Sequence, residues 1–160
     1  MKPIYIIPIV LLLVACGEPP ATVKTGSTPA LVAPAATVPH GLDAKLVTRG
    51  GEIYKANCAA CHGADAEGAP NWSKKGADGK FPPPPLDASG HGWHHPKSAL
   101  VQTIKEGTIK LGGGMPAWKG TLTDDDIEAV VAWIHSRWPE DIYKSWAFMD
   151  EKARRGLARH

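Results

Sequence analysis

With 160 residues, 21% of them charged and a formal net charge of +2, the chain lacks the basic excess of a nucleic-acid binder. Hydrophobic residues make up 43%, which excludes a disordered polyelectrolyte and suits one small folded domain with added segments. The 17 glycines and 15 prolines favour loops over long regular elements.

The chain opens on a processing signal. Lys2 precedes an apolar run from Ile4 to Val14. Such a run falls short of the roughly 20 residues a membrane span needs, but it fits a secretory h-region. It ends in Leu13-Val14-Ala15-Cys16, which resembles the lipobox of bacterial lipoproteins. The resemblance implies that residues 1–15 are a signal peptide and that Cys16 is lipidated. It also implies an extracytoplasmic protein facing the periplasm, held by a lipid anchor on a bacterial membrane. More than one acyl chain makes such an anchor stable where one alone is marginal.

Residues 16–41 carry the lipidated Cys and then Pro19, Pro20, Pro29, Pro34 and Pro39 among small and polar residues. No helical or strand period runs through them, so they read as a tether. A flexible coil of this length reaches roughly 25–30 Å, and proline stiffening lengthens it.

The pattern becomes helical at Leu42. Leu42, Leu46, Ile53 and Tyr54 supply apolar positions for a helix leading to Cys58, although Gly50-Gly51 weakens it on propensity. Residues 63–95 read as loop, with Pro82 to Pro85 as a stiff extended run. Lys97 to Glu106 reads as a short helix with Pro96 in its first turn and Gly107 as its stop. Thr108 to Lys119 reads as loop. Thr123 and Asp126 form a capping box for a helix whose buried stripe is Ile127, Val130, Val131, Ile134 and Trp138. Pro139 separates it from a last amphipathic helix, in which Ile142, Trp146 and Met149 share a face. No strand pattern stands out, so the predicted class is all-α.

Cys58-Ala59-Ala60-Cys61-His62 is the attachment pattern of a c-type haem. Two thiols one turn apart reach the two vinyl groups on one edge of a porphyrin, and the next residue points an imidazole at the iron. The reading is one covalent haem c, with Cys58 and Cys61 as thioethers and His62 as proximal ligand. A redox disulfide would want a βαβ setting. A zinc site would want a second Cys or His pair. The pattern supplies neither. For the sixth ligand, Met115 lies in Gly112-Gly113-Gly114-Met115-Pro116, a loop able to approach closely and then stiffened by Pro. Met149 sits inside the terminal helix, where packing is the usual role. Met115 is therefore the expected ligand. With both axial positions filled, electron transfer is favoured over catalysis, and the chain is not expected to be an enzyme.

The order of helix, C-x-x-C-H, long loop, Met-Pro segment and helix resembles class I cytochrome c over residues 42–138. The resemblance implies that Gly50 and Tyr54 on the first helix pack against Val130 and Trp133 on the last. It also implies that a Pro-x-Leu segment after the haem motif places a carbonyl on the proximal His N–H, and Pro84 of Pro84-Pro85-Leu86 fits. Residues 139–160 are a helical extension beyond the minimal fold. The resulting expectation is a class I cytochrome c fold with an extra C-terminal helix. It would work as a membrane-tethered single-electron carrier between redox proteins, such as an oxidase, a dehydrogenase or a reductase.

His91, His94 and His95 surround Trp93 outside the family pattern. They line the haem edge in the simplest reading, and the Trp93 N–H is a candidate donor to a haem propionate. The alternatives are copper delivery through the three imidazoles, and a haem enzyme or small-ligand sensor in which Met115 is labile. Lys74, Lys75, Lys80, Lys105, Lys110 and Lys119 are spread through the loops. They serve solubility or steer an acidic partner.

Overall fold

The computed structural model describes residues 38–157. The signal segment 1–15, Cys16 and the tether up to residue 37 lie outside the described residues. Among the described residues five α-helices follow in chain order: α1 Ala44–Asn57, α2 Ala59–His62, α3 Lys97–Glu106, α4 Asp124–Ser136 and α5 Glu140–Leu157. Short 3₁₀ turns at Pro39–Gly41, Gly92–His94 and Ile109–Leu111 punctuate the connections. Among the described residues no strand forms, and the class is all-α as expected.

Helix α1 starts where Asp43 accepts a hydrogen bond from the Leu46 N–H at 2.8 Å, which satisfies one of the first-turn donors. The Gly50-Gly51 pair does not break it, because tertiary packing outweighs propensity here. Gly50 is buried where α1 crosses α4, and α1 and α4 are the principal helix pair. A Cβ on Gly50 would meet the Ala129 carbonyl oxygen and the Cβ of Trp133. One turn on, Tyr54 stacks on the Trp133 ring with centroids 4.1 Å apart. The backbone approach therefore falls on Ala129, one residue before the expected Val130. Val130 instead joins Tyr54 in the core.

Helix α4 carries the expected capping box: Thr123 Oγ1 accepts from Asp126 N at 3.1 Å, and Thr123 N donates to Asp126 Oδ2 at 3.0 Å. Ile127, Val130, Val131 and Ile134 are buried along it. Trp138 falls beyond the end of α4 and is still only 4% exposed, because α5 closes over it. Helix α3 spans the expected residues, but Pro96 is its N-cap and not its first turn. Proline has no side-chain acceptor to offer, and the Lys97 N–H donates instead to Asp150 Oδ1 of α5 at 2.7 Å.

Helix α5 is not a separate module. Trp146 and Trp138 belong to the same core as Tyr54, Ala66, Val130 and Ile134. The start of the folded region also reaches back into the expected tether. His40 stacks on Tyr143 with ring centroids 4.0 Å apart, and its ring nitrogens lie 2.7 Å from Glu140 Oε2 and 3.0 Å from the Trp138 carbonyl. A residue of the expected tether thus packs against residues of the expected extension.

Candidate haem-binding site

The Cys58–His62 segment forms α2, a single turn set at the end of α1. Cys58 bonds back to α1 through its N–H to the Tyr54 carbonyl at 2.8 Å, and the His62 N–H bonds to the Cys58 carbonyl at 2.9 Å. Tyr54, 1% exposed, also donates its hydroxyl to the Gly63 carbonyl at 2.8 Å. The motif is therefore tied to the α1–α4 crossing at both of its ends. Both thiols are free, with Cys61 exposed and Cys58 half-buried. Burial, followed by the charge of Cys61, pushes the Cys58 thiol up to about 11.

His62 Nδ1 donates to the Pro84 carbonyl oxygen at 2.9 Å. This bond assigns the ring proton to Nδ1 and leaves Nε2 as the lone-pair nitrogen. Burial lowers the His62 pKa, against the pull of the Pro84 bond, a direction that favours the neutral imidazole a metal ligand requires. The acceptor sits in an extended run packed along the turn after the motif. Ala69 N donates to Pro83 O at 2.8 Å, and Leu86 N donates to Ala66 O at 2.7 Å. Gly68 makes the approach possible, since a Cβ there would lie 2.3 Å from Pro85 N.

Met115 is held by a loop that closes on one residue. Thr108 N donates to Met115 O at 2.9 Å, Met115 N donates to Thr108 Oγ1 at 3.1 Å, and Gly113 N donates to Thr108 O at 2.8 Å. Gly107, at φ +66, lets the backbone of Met115-Pro116 pass 2.5–2.6 Å from where a Cβ would stand. Met115 is partly exposed, whereas Met149 packs against the core. The anchoring role of Thr108 was not legible beforehand, because a lone Thr seven residues before a Met in a glycine loop carries no pattern.

The Trp93 indole N–H donates to the Gly90 carbonyl at 3.2 Å, within its own turn. The neighbouring imidazoles turn to aromatic partners: His94 stacks on Trp93 at 3.7 Å and His91 on Trp72 at 5.5 Å. Among the described residues no three His, Cys, Asp or Glu side chains converge to hold a metal ion. Of the six lysines, Lys105 pairs with Asp124 at 2.8 Å, Lys119 lies 3.6 Å from Glu106, and Lys75 sits over the Phe81 ring.

An all-α domain that joins a helix crossing to a Cys-x-x-Cys-His turn, with its His held by a Pro carbonyl, has the make-up of a c-type cytochrome. Residues 45–134 match the family described as cytochrome c oxidase, cbb3-type, subunit III, and the chain belongs to that family. It is 37% identical over 94 residues to a cbb3-type cytochrome c oxidase subunit CcoP of Azospirillum sp. (strain B510), covering 59% of this chain and 29% of that protein. It is 34% identical over 88 residues to a cytochrome c6 of Leptolyngbya boryana, covering 53% of this chain and 85% of that one. A cytochrome c6 of Cladophora glomerata is 32% identical over 98 residues, covering 60% and 93% respectively. The chain thus spans under a third of the oxidase subunit and most of the two small cytochromes. No solved structure matches it significantly. The family implies haem c, and the donor set fits one: two free thiols a turn apart beside an imidazole whose Nδ1 is already bonded.

Proposed function

We propose that this protein is a mono-haem cytochrome that carries single electrons, tethered to a bacterial membrane through a lipid on Cys16 and facing the periplasm. Residues 1–15 are its signal peptide, 16–41 carry the lipidated Cys and the tether, 42–138 form its cytochrome domain and 139–160 a C-terminal helical extension. Cys58 and Cys61 hold the haem through thioethers, and His62 and Met115 are the axial ligands. When bound, the haem supplies a one-electron couple, whose potential a thioether ligand raises. The rest is work done by the chain. The Pro84 carbonyl fixes the His62 ring, Thr108 fixes the Met115 loop, and the α1–α4 crossing holds the motif turn.

The observation that carries this reading is the bond from His62 Nδ1 to the Pro84 carbonyl beside two free thiols. A structural His has no need of that combination, whereas a metal-ligating His has its second nitrogen fixed in this way. The matched oxidase subunits support a respiratory oxidase as the electron acceptor, with a dehydrogenase or reductase upstream. Among the described residues no helix is long and apolar enough to cross a membrane, and the lipobox-like segment ending at Cys16 supports attachment through a lipid.

The test is expression of the full chain with cytochrome c maturation machinery. The expected product is a membrane-associated protein with one covalent haem per chain, a ferric absorption band in the far red diagnostic of thioether ligation, and no binding of carbon monoxide when reduced at neutral pH. Cys16→Ser should release it in soluble form with the same spectrum. Rapid carbon monoxide binding by the wild type would overturn six-coordination and favour the sensor reading.

A further inference from the structure

The run Pro82 to Pro85 is an unusual place to put the acceptor for His62, because prolines have no N–H with which to anchor themselves. Between residues 82 and 86 only Leu86 has an N–H, and it donates to the Ala66 carbonyl at 2.7 Å. Every other anchor is a donor that comes to a carbonyl of the run. Ala69 N–H comes to Pro83 O at 2.8 Å, His62 Nδ1 to Pro84 O at 2.9 Å, and Trp138 Nε1 to Leu86 O at 2.8 Å. Trp138 is the member of this set that lies between α4 and α5. It is 4% exposed, fixed between the buried core and α5, with its ring 5.6 Å from that of Trp146.

We propose that Trp138 is a positioning residue for His62, and that α5 serves as a splint which sets the proximal side of the haem through Trp138, Leu86 and Pro84. This rests on the ligand role of His62 in the function proposed above. Trp138 grips the run two residues from the acceptor, at the residue whose N–H holds the Ala66 carbonyl. Gly90 closes the same grip, since a Cβ there would lie 2.3 Å from Pro85 O. Without the indole N–H, the Leu86 carbonyl loses its donor, the run keeps only its bonds to Ala66 and Ala69, and the Pro84 carbonyl is held less firmly against the imidazole. A weaker Nδ1–H···O bond makes the imidazole a poorer electron donor to iron. Ferric iron then loses more stabilisation than ferrous iron, and the potential rises.

A buried Trp also finds a partner for its N–H simply to avoid the cost of leaving it unmet. The test separates the two roles by using Trp146, whose Nε1 donates to the His95 carbonyl at 2.9 Å, nine residues further from Pro84 along the chain. In the mature holoprotein, Trp138→Phe and Trp146→Phe each remove one buried N–H and should lower thermal stability to a similar extent. Only Trp138→Phe should raise the midpoint potential. A twofold change in the ferric-to-ferrous ratio at fixed applied potential, or about 18 mV from the one-electron constant, is the expected minimum. The paramagnetically shifted haem methyl resonances, which report the plane of the imidazole, should rearrange in the same variant alone. A potential and methyl pattern unchanged in Trp138→Phe, or changed equally in Trp146→Phe, would overturn the proposal.

A measurement on the wild type covers the case in which Trp138→Phe does not fold. The Trp138 indole proton and the His62 Nδ1 proton should exchange with solvent in one step, at one rate. Exchange of the indole proton orders of magnitude faster would overturn the coupling. If the wild type carries no covalent haem, the proposed function itself fails. Covalent haem in the wild type with an unmoved variant refutes only the role of Trp138.

Discussion

A Cβ placed on Gly50 would stand 1.9 Å from the carbonyl oxygen of Ala129. The obstacle is backbone in the middle of α4, so neither helix can yield by turning a side chain. Gly50→Ala therefore gains up to about 1 kcal/mol of helix propensity and loses more by prising α1 from α4. A net destabilisation of about 2 kcal/mol is expected from overpacking of this kind. Gly156→Ala in α5 is the control, since nothing lies within 4 Å of its Cβ position and it should be neutral or slightly stabilising. Urea unfolding of the two holoproteins checks both signs.

The Met115 loop turns on Thr108. Thr108→Val keeps the shape and removes the oxygen that accepts the Met115 N–H at 3.1 Å. The loss should cost about 1 kcal/mol. It should also weaken the ferric far-red band and let carbon monoxide compete for reduced iron, because the loop's hold on the thioether is loosened. An unchanged band together with a lowered melting temperature would show that Thr108 stabilises the loop without placing the ligand.

His135 gives the domain an acid-sensitive core. Its ring is 3.9 Å from that of Trp146 and 4.5 Å from that of Trp138, and its Nε2 is buried without a hydrogen-bond partner. Burial, with the nearby Lys97 and His40, holds its pKa down at about 3 against 6.5 for a free imidazole. Between those values the unfolded chain binds a proton that the folded chain refuses. Its contribution to stability is therefore intact above pH 6.5 and is lost as pH falls towards 3, by up to about 1.4 kcal/mol per pH unit. His135→Leu should flatten the urea midpoint across this window and leave neutral-pH stability no lower. A variant curve parallel to the wild type would exclude His135 as the source.

Much of the fold was readable from residue order, because repeating patterns report helices. The apolar spacing marked α3 and α4, Thr123 and Asp126 marked the start of α4, and the Cys-x-x-Cys-His turn sits where a helix was expected to deliver it. The acceptor for the His62 ring was readable at Pro84 because a short Pro-x-Leu pattern marks it. What escaped was single polar anchors. Trp138 and Trp146 read only as members of apolar stripes, and Asp150 carried no signal at all. In the structure they meet the carbonyls of Leu86 and His95 and the N–H of Lys97. Such bonds join segments about fifty residues apart and leave no period. His40 read as tether for the same reason, since nothing local signals that Glu140 and Tyr143 await it.

Asp150 offers the sharpest test of how far α5 supports the rest. It is 5% exposed, with Oδ1 accepting the Lys97 N–H at 2.7 Å and Oδ2 lying 3.1 Å from Arg154 Nε. Helix α3 has no side-chain cap of its own, so this carboxylate acts as its N-cap from across the domain, where negative charge also suits the helix end. Asp150→Ala should cost about 2 kcal/mol, at the upper end for a cap deletion, because it strands a part-buried N–H. Asp150→Asn keeps an acceptor for Lys97 and gives up only the charge and the largely exposed Arg154 pair, so it should cost about 1 kcal/mol or less. Hydrogen exchange at the first-turn amides of α3 should rise in the Ala variant and barely change in the Asn variant. Equal loss in both would mean that the charge, and not the cap geometry, is what α5 contributes to α3.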